Sequence, residues 1–247
     1  MSAETLLLLV VAGVGAGLAG YLTGLASLVS YPALLAAGLS PVAANVTNTL
    51  ALIGVGAGAT AKAFGVVAGG DRRALRRDLL IATAGGLAGG GLLLTAGEGV
   101  FAAVVPWLIA LASVAVLVQP QLRRLVGGRP RPLVHAVLLG LVCLYGGYFG
   151  AGAGTLYLAV TLVATSETFA RAMVLKSVLL MVSNVVAAVL FVLAGTVVWA
   201  AALAMGVGCV AGGWLGPVVQ GYLPERQLRW VVALSGIGLA LWLGVGG

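Results

Sequence analysis

The residue with the most chemistry to offer is Lys176. It stands within residues 166 to 193, a stretch apolar and long enough to cross a bilayer as a helix. At about 1.5 Å of rise per residue it lies roughly 14 Å along the axis, near the membrane centre. A charge at that depth costs about 3 kcal/mol or more and by default marks an ion or substrate path. Ser177 follows directly, and Ser183 and Asn184, seven and eight residues on, return to the face of Lys176. An ammonium flanked by hydroxyl and amide donors suits an anion. The competing account is that Lys176 snorkels to water or bonds a carbonyl of a neighbouring helix.

A second polar group lies at Ala44-Asn45-Val46-Thr47-Asn48-Thr49-Leu50. Four polar side chains in five residues are too many for a lipid-facing surface. They either bind a ligand, with Asn48 and Thr49 the preferred ligands and Asn45 beside them, or hydrogen-bond between helices. Tyr31 and Tyr157 could hydrogen-bond a substrate oxygen or anchor the protein at the membrane interface. Lys62 is expected to snorkel to the near face. Arg171, in the first turn of its helix, can pair with Glu167 or guard the mouth of the path.

These residues need a frame, and composition supplies its class. Of 247 residues, 62% are hydrophobic and 8% charged, and the mean hydropathy is +1.17. That excludes an ordinary soluble domain. The apolar runs are continuous rather than alternating, which argues against a β-barrel. The net charge of +7 does not point to nucleic acid, because the arginines sit in short loops between spans and serve orientation. Cys143 and Cys209 lie inside apolar segments as packing residues. With one histidine, His135, placed at the start of a span, a histidine metal site is not expected and no cofactor is indicated. There is no HExxH and no Ser/His or acid pair at depth, so an enzyme is not expected. The N-terminus carries Glu4 and lacks the basic region of a cleaved signal peptide.

The expected order is a Gly-rich run at 5–39, a span at 41–66, an arginine-bearing loop from Asp71 to Asp78, and spans at 79–97 and 99–118. The loop 119–132, a Gly-rich run at 133–165, the central helix at 166–193, and spans to about 221 and from 227 to 243 complete it. A shift of 126 residues lays Gly20 on Gly146, Gly24 on Gly150, Tyr31 on Tyr157, Ser40 on Ser166, Gly86 on Gly212 and Gly90 on Gly216. The chain therefore reads as a first repeat over 1–118, an arginine-rich linker over 119–132 and a second repeat over 133–247. Each Gly-rich run exceeds one span of about 20 residues but is shorter than two spans and a turn. Each is expected to enter the membrane, break and return. The breaks fall near Ala26 to Pro32 and near Gly150 to Gly154, and helix starts follow at Ser40-Pro41 and Ser166-Glu167.

Two returning hairpins, each followed by three spans, turn the second half upside down. All the arginines, at 72, 73, 76, 77, 123, 124, 129, 131, 171, 226 and 229, then fall on one side, with Glu4 and Glu98 on the other. The positive-inside rule puts the arginines in the cytoplasm and both termini outside. The expected fold is an all-α polytopic membrane protein of two inverted repeats, each a broken, re-entrant, Gly-rich helical hairpin plus three transmembrane helices. This is a transporter architecture. Asp71, Asp78, Glu98, Glu167, Glu225 and Glu4 are all read as terminal or in loops. A carboxylate proton relay is then not expected, and the membrane potential, at about 2.3 kcal/mol per charge per 100 mV, suffices to drive an anion out.

The chain resembles the TauE/SafE sulfite-exporter family. The resemblance is carried by Asn45-Val46-Thr47-Asn48-Thr49, Val105-Pro106-Trp107-Leu108, Gln119-Pro120, Leu175-Lys176-Ser177 with Asn184, and Leu228-Arg229-Trp230. It departs from the family at Ala26-Ser27-Leu28-Val29-Ser30-Tyr31-Pro32, where a Gly run before proline is usual, while Gly150, Gly152 and Gly154 keep the pattern. The resemblance implies a bacterial inner-membrane protein that exports small sulfur-containing anions, such as sulfite or sulfoacetate, by alternating access. An uptake carrier or a channel-like path would use the same residues. The implied partners are the small anionic substrate and the lipid bilayer, with no nucleic acid. A homo-oligomer is left open.

Overall fold

The computed structural model describes residues 1–68, 71–123 and 130–220, with 222, 230, 234, 237, 238, 240 and 241. Most of the last expected span, with Arg124, Arg129, Pro224, Glu225, Arg226, Leu228 and Arg229, lies outside the described residues. The described residues form α-helices and no strand: α1 (Ala3–Thr23), α2 (Ser27–Ala36), α3 (Pro41–Ala68), α4 (Arg72–Ala96), α5 (Glu98–Arg123), α6 (Pro132–Tyr148), α7 (Ala153–Ala164), α8 (Phe169–Leu193) and α9 (Trp199–Val219). Five of these, α1, α3, α4, α8 and α9, are long and apolar enough to cross a membrane. Helices are what such a sequence must form there, because hydrocarbon offers the backbone no other hydrogen-bond partners.

The helix ends have local causes, and several differ from expectation. Gly24 takes φ +83° and its N–H closes on the carbonyls of Ala19 and Gly20 at 3.2 and 3.0 Å. This left-handed residue stops α1, so the first break is at Gly24 to Ala26, earlier than the expected Ala26 to Pro32. Pro32 is carried inside α2 instead. The second break lies at Phe149 to Gly152, with Gly150 and Gly152 at φ +78° and +76°. The arginine-bearing stretch is not a loop: Asp71 accepts from Arg73 N at 2.8 Å and caps α4 at that point, and the helix-favouring arginines then form its opening turns. Asp78 is consequently a buried helical residue, 7% exposed, rather than a loop carboxylate. α5 runs past residue 118 to Arg123. α8 is capped by the Thr168 hydroxyl, which accepts from Arg171 N at 3.3 Å, and not at Ser166. The expected Arg171–Glu167 pair forms at 2.9 Å, and Arg171 also donates to the Val66 carbonyl at 3.0 Å. Lys62 covers the Trp214 ring at 5.0 Å.

Small residues let the long helices touch backbone to backbone, and the contacts fix their relative directions. On α1, Gly13 lies against Met205 and Cys209 of α9, and Gly17 against Cys209 and Gly213; both numbers rise together, so the helices run parallel. α3 also runs parallel to α9, with Gly54 on Gly206 and Gly58 on Trp214. α4 runs parallel to α6, with Gly85 on Cys143 and Gly89 on Tyr148, and parallel to α8, with Gly86 on Ser183 and Gly90 on Ala187. α3 and α8 oppose each other: Gly56 meets Ser177 and Met181, while Val66, further along α3, meets Arg171, earlier on α8. α6 and α7 form a returning hairpin whose ends are joined by Arg131 N to the Ala164 carbonyl at 2.9 Å.

The two breaks meet. A Cβ on Gly154 would lie 2.5 Å from the Cα of Gly24, so neither tip has room for a side chain. Thr155 Oγ1 donates to the Thr23 carbonyl across the same contact at 2.7 Å.

The α1–α9 seam gives a direct test. A Cβ on Gly17 would sit 2.7 Å from backbone atoms of Cys209 and Gly213, whereas one on Gly91 meets nothing within 4 Å. Gly17→Ala should lower stability by about 1–3 kcal/mol through overpacking. Gly91→Ala should be neutral or up to about 1 kcal/mol stabilising from helix propensity. Thermal unfolding of the purified variants checks this; equal melting points would contradict the seam.

Candidate functional site

The site is built from the broken ends. α1 stops near the contact of the two tips and leaves carbonyls that no further turn of helix can satisfy. Lys176, on α8 and 1% exposed, fills that gap: its Nζ donates to the Gly20 carbonyl at 3.0 Å and to the Tyr21 carbonyl. It also lies 3.9 Å from Met173 Sδ and over the Tyr21 ring at 5.5 Å. A cation at the carbonyl end of a helix is favoured by the dipole as well as by the hydrogen bonds. Lys176 thus does bond carbonyls of a neighbouring helix, as the competing account held, and does so without reaching the membrane surface.

A cavity of about 60 Å³ lies beside it. On this measure a water needs roughly 10–15 Å³, so the space takes several waters or one small ion. Lys176, Ser177 and Asn184 from α8 and Thr49 from α3 line it. Ala26 and Ser27, at the start of α2, face them, with Ala153 and Gly154 at the start of α7. Neither α2 nor α7 has a side-chain cap. Two helix N-termini, positive in their dipoles, therefore converge on the space that holds the ammonium. Leu52, Val55, Phe149, Leu180 and Met181 form an apolar remainder. No acidic residue is among the described lining.

The expected site residues divide. Lys176, Ser177, Asn184 and Thr49 come together on the cavity, although the Thr49 and Ser177 hydroxyls also bond back to their own helices at the Asn45 and Met173 carbonyls, 3.0 and 3.3 Å away. Asn48 does not line it. Its Oδ1 accepts from Ser30 at 2.5 Å and its Nδ2 donates to Ser27 at 3.2 Å, which fastens α2 to α3 behind the cavity wall. Asn45 reaches across to the Tyr148 carbonyl at 2.8 Å and ties α3 to the end of α6, with its Oδ1 left unpaired. Ser183 faces away, donating to the Cys143 carbonyl at 3.1 Å. Tyr31 and Tyr157 are each 1% exposed, which rules out interfacial anchoring, and neither lines the cavity; Tyr31 packs edge-on against Phe149 at 5.4 Å.

Ser27, Gly20, Gly24, Gly146 and Gly150 were not singled out by chemistry, yet all line the space. Of these, the four glycines carried a sequence signal, since the 126-residue shift lays Gly20 on Gly146 and Gly24 on Gly150; Ser27 carried none.

Relatives place this architecture in a family. The E. coli K12 protein described as "Probable membrane transporter protein YfcA" is 30% identical over 209 residues, covering 81% of this chain and 76% of that protein. The proteins of the same description from E. coli O6:H1 and O157:H7 give the same figures. No solved structure matches the chain. A family profile described as "Sulfite exporter TauE/SafE" matches residues 9–243, nearly the whole length. With five helices able to span a bilayer and a full-length match, the chain is a multi-pass membrane transporter protein that belongs to the TauE/SafE sulfite exporter family.

Proposed function

We propose that this protein exports a small sulfur-containing anion, sulfite or a sulfonate such as sulfoacetate, across the inner membrane. The observation that carries the reading is the cavity where the two hairpin tips meet, with a buried ammonium and two uncapped helix N-termini on its walls and no acidic lining residue. An anion there is stabilised by the ammonium, by the helix ends, and by donors from Ser177, Asn184 and Thr49. It competes with the Gly20 and Tyr21 carbonyls for Lys176. Asn45 and Asn48 act as positioning residues, holding α3 against α6 and α2.

The helix directions support alternating access by two inverted halves. α6, α7, α8 and α9 start 126–129 residues after α1, α2, α3 and α4. α8 opposes α3, its counterpart. α9 runs parallel to α3, and so opposes α4. α6 runs parallel to α4 and α1 to α9, so α6 opposes α1. These three pairs are all reversed, as a two-fold axis in the membrane plane requires. Rocking one half against the other would open the shared cavity to either face in turn. The described arginines lie at the starts of α4, α6 and α8 and the end of α5, which this arrangement gathers on one face, and Glu4 and Glu98 lie on the other. We assign the arginine-bearing face to the cytoplasm.

Sulfite and sulfoacetate uptake into inside-out vesicles tests the role of Lys176. Lys176→Ala should cut flux at least about 100-fold, since it removes the one strong charge on the substrate, and Lys176→Arg should retain part of it. A folded Lys176→Ala protein with unchanged flux would refute the assignment. Asn184→Leu removes one uncharged donor and should weaken apparent affinity by roughly 10-fold, about 1–2 kcal/mol, with the melting point near wild type. Unchanged affinity would take Asn184 out of the site.

A further inference from the structure

Away from the cavity, a buried polar cluster joins α4, α6 and α7. Arg77 gives both Nε and NH2 to Asp78 Oδ1, at 2.9 and 2.8 Å. The same oxygen lies 3.9 Å from His135 Nδ1, and that nitrogen lies 3.4 Å from Arg77 NH2. His135 Nε2 lies 3.4 Å from Thr161 Oγ1. His135 is 2% exposed and the Asp78 side chain 11%, but the Arg77 side chain is 40% exposed. One carboxylate oxygen therefore has two competing cations. The guanidinium can turn into water; the imidazole, fixed inside, can take its place by picking up a proton. The cluster has no counterpart under the 126-residue shift, for the positions matched to Asp78 and His135 hold Ala204 and Leu9.

The cluster is also connected to the cavity. α7 carries Thr161 at one end and Gly154 at the other, and a Cβ on Gly154 would lie 3.1 Å from Lys176 Cδ. Seven residues of helix separate them, about 10 Å. The ring lies beyond Thr161 and the cavity beyond Gly154, so the two charges are further apart than this, and a positive ring attracts an anion in the cavity by several-fold in affinity.

We propose that Asp78 and His135 form a proton-binding site, distinct from the anion cavity, so that a proton on His135 and an anion beside Lys176 each favour binding of the other. The proton site stands on its own geometry; its link to the anion rests on the transport function proposed above. The groups acting on the ring are Arg77 and Asp78 from α4, Thr161 from α7, and Glu167, with its partner Arg171, from the α7–α8 turn. Arg131, whose carbonyl accepts from His135 N at 2.9 Å, adds a positive charge from α6's own start. Burial of the ring disfavours its protonated form most; Asp78 favours that form, Arg77 opposes it and Glu167 favours it, with the net effect that the ring takes its proton below the ordinary histidine range. The effect is reciprocal by linkage.

The chain has one histidine, so 15N-histidine labelling of the whole protein in lipid nanodiscs reports His135 alone. The ring should protonate reversibly with a midpoint below the ordinary histidine value of about 6.5. Asp78→Asn should move the midpoint down by about one pH unit, by removing the favourable charge. Arg77→Gln, at a half-exposed position, should move it up, and carries the test if Asp78→Asn does not fold. Saturating sulfoacetate should raise the wild-type midpoint, by the same several-fold factor in proton affinity. A ring that stays neutral throughout, or a midpoint indifferent to both substitutions, overturns the proton site. A normal titration that sulfoacetate does not move overturns the link. Sulfoacetate binding seen in a thermal shift of wild-type protein separates that outcome from failure of the transport function itself.

Discussion

The structure turns on one hydrogen-bonded charge: the Lys176 ammonium on the last carbonyls of α1. A helix that ends inside a bilayer exposes polar groups that hydrocarbon cannot satisfy. A lysine buried at the same depth carries the opposite problem. Bringing the two together solves both, and it fixes where α1 ends, where α8 must pass and where the tip of α7 can sit. The glycines at the tips follow, because Gly24 and Gly154 touch with no space for a side chain.

That same bond makes the site reactive to ligand. The ammonium is held by neutral carbonyls, which are weaker partners than an anion. A negatively charged guest in the adjoining cavity can therefore draw on the group that fastens α1 to α8. Under the proposed function, anion binding and the seating of α1 against α8 would be one equilibrium, a differential interaction of the kind that alternating access needs. The two halves are not equivalent here. The position 126 residues before Lys176 is Leu50, and those matched to Asp78 and His135 are Ala204 and Leu9, so neither the ammonium nor the polar cluster has a counterpart under the shift.

Much of this was legible in the sequence, and the reasons differ by residue. Lys176 stood out because charge in an apolar run is expensive, and its neighbours Ser177 and Asn184 follow by helical spacing. The 126-residue shift brought out the order of helices in the second half but set the start of α8 at Ser166, ahead of its cap at Thr168. Asn48 was expected on the site and lies behind the cavity wall: burial alone cannot separate an amide that faces a cavity from one that ties two serines of a neighbouring helix. Pro32 drew the first break too late, since proline outranks glycine as a sequence breaker although Gly24 could adopt the left-handed turn. Asp78 was read as a loop residue and His135 as the start of a span, because they are 57 residues apart and only the α4–α6 packing makes them neighbours. A single sequence carries no sign of such a pair.

The most direct measurement is an experimental structure of the protein in lipid with selenite, an anomalous scatterer of the shape and charge of sulfite. The account predicts selenium in the space between the starts of α2 and α7, within about 3 Å of an oxygen-to-nitrogen contact with Lys176 Nζ. Selenium bound only elsewhere, with the ammonium still on the Gly20 and Tyr21 carbonyls and the cavity without density, would contradict it.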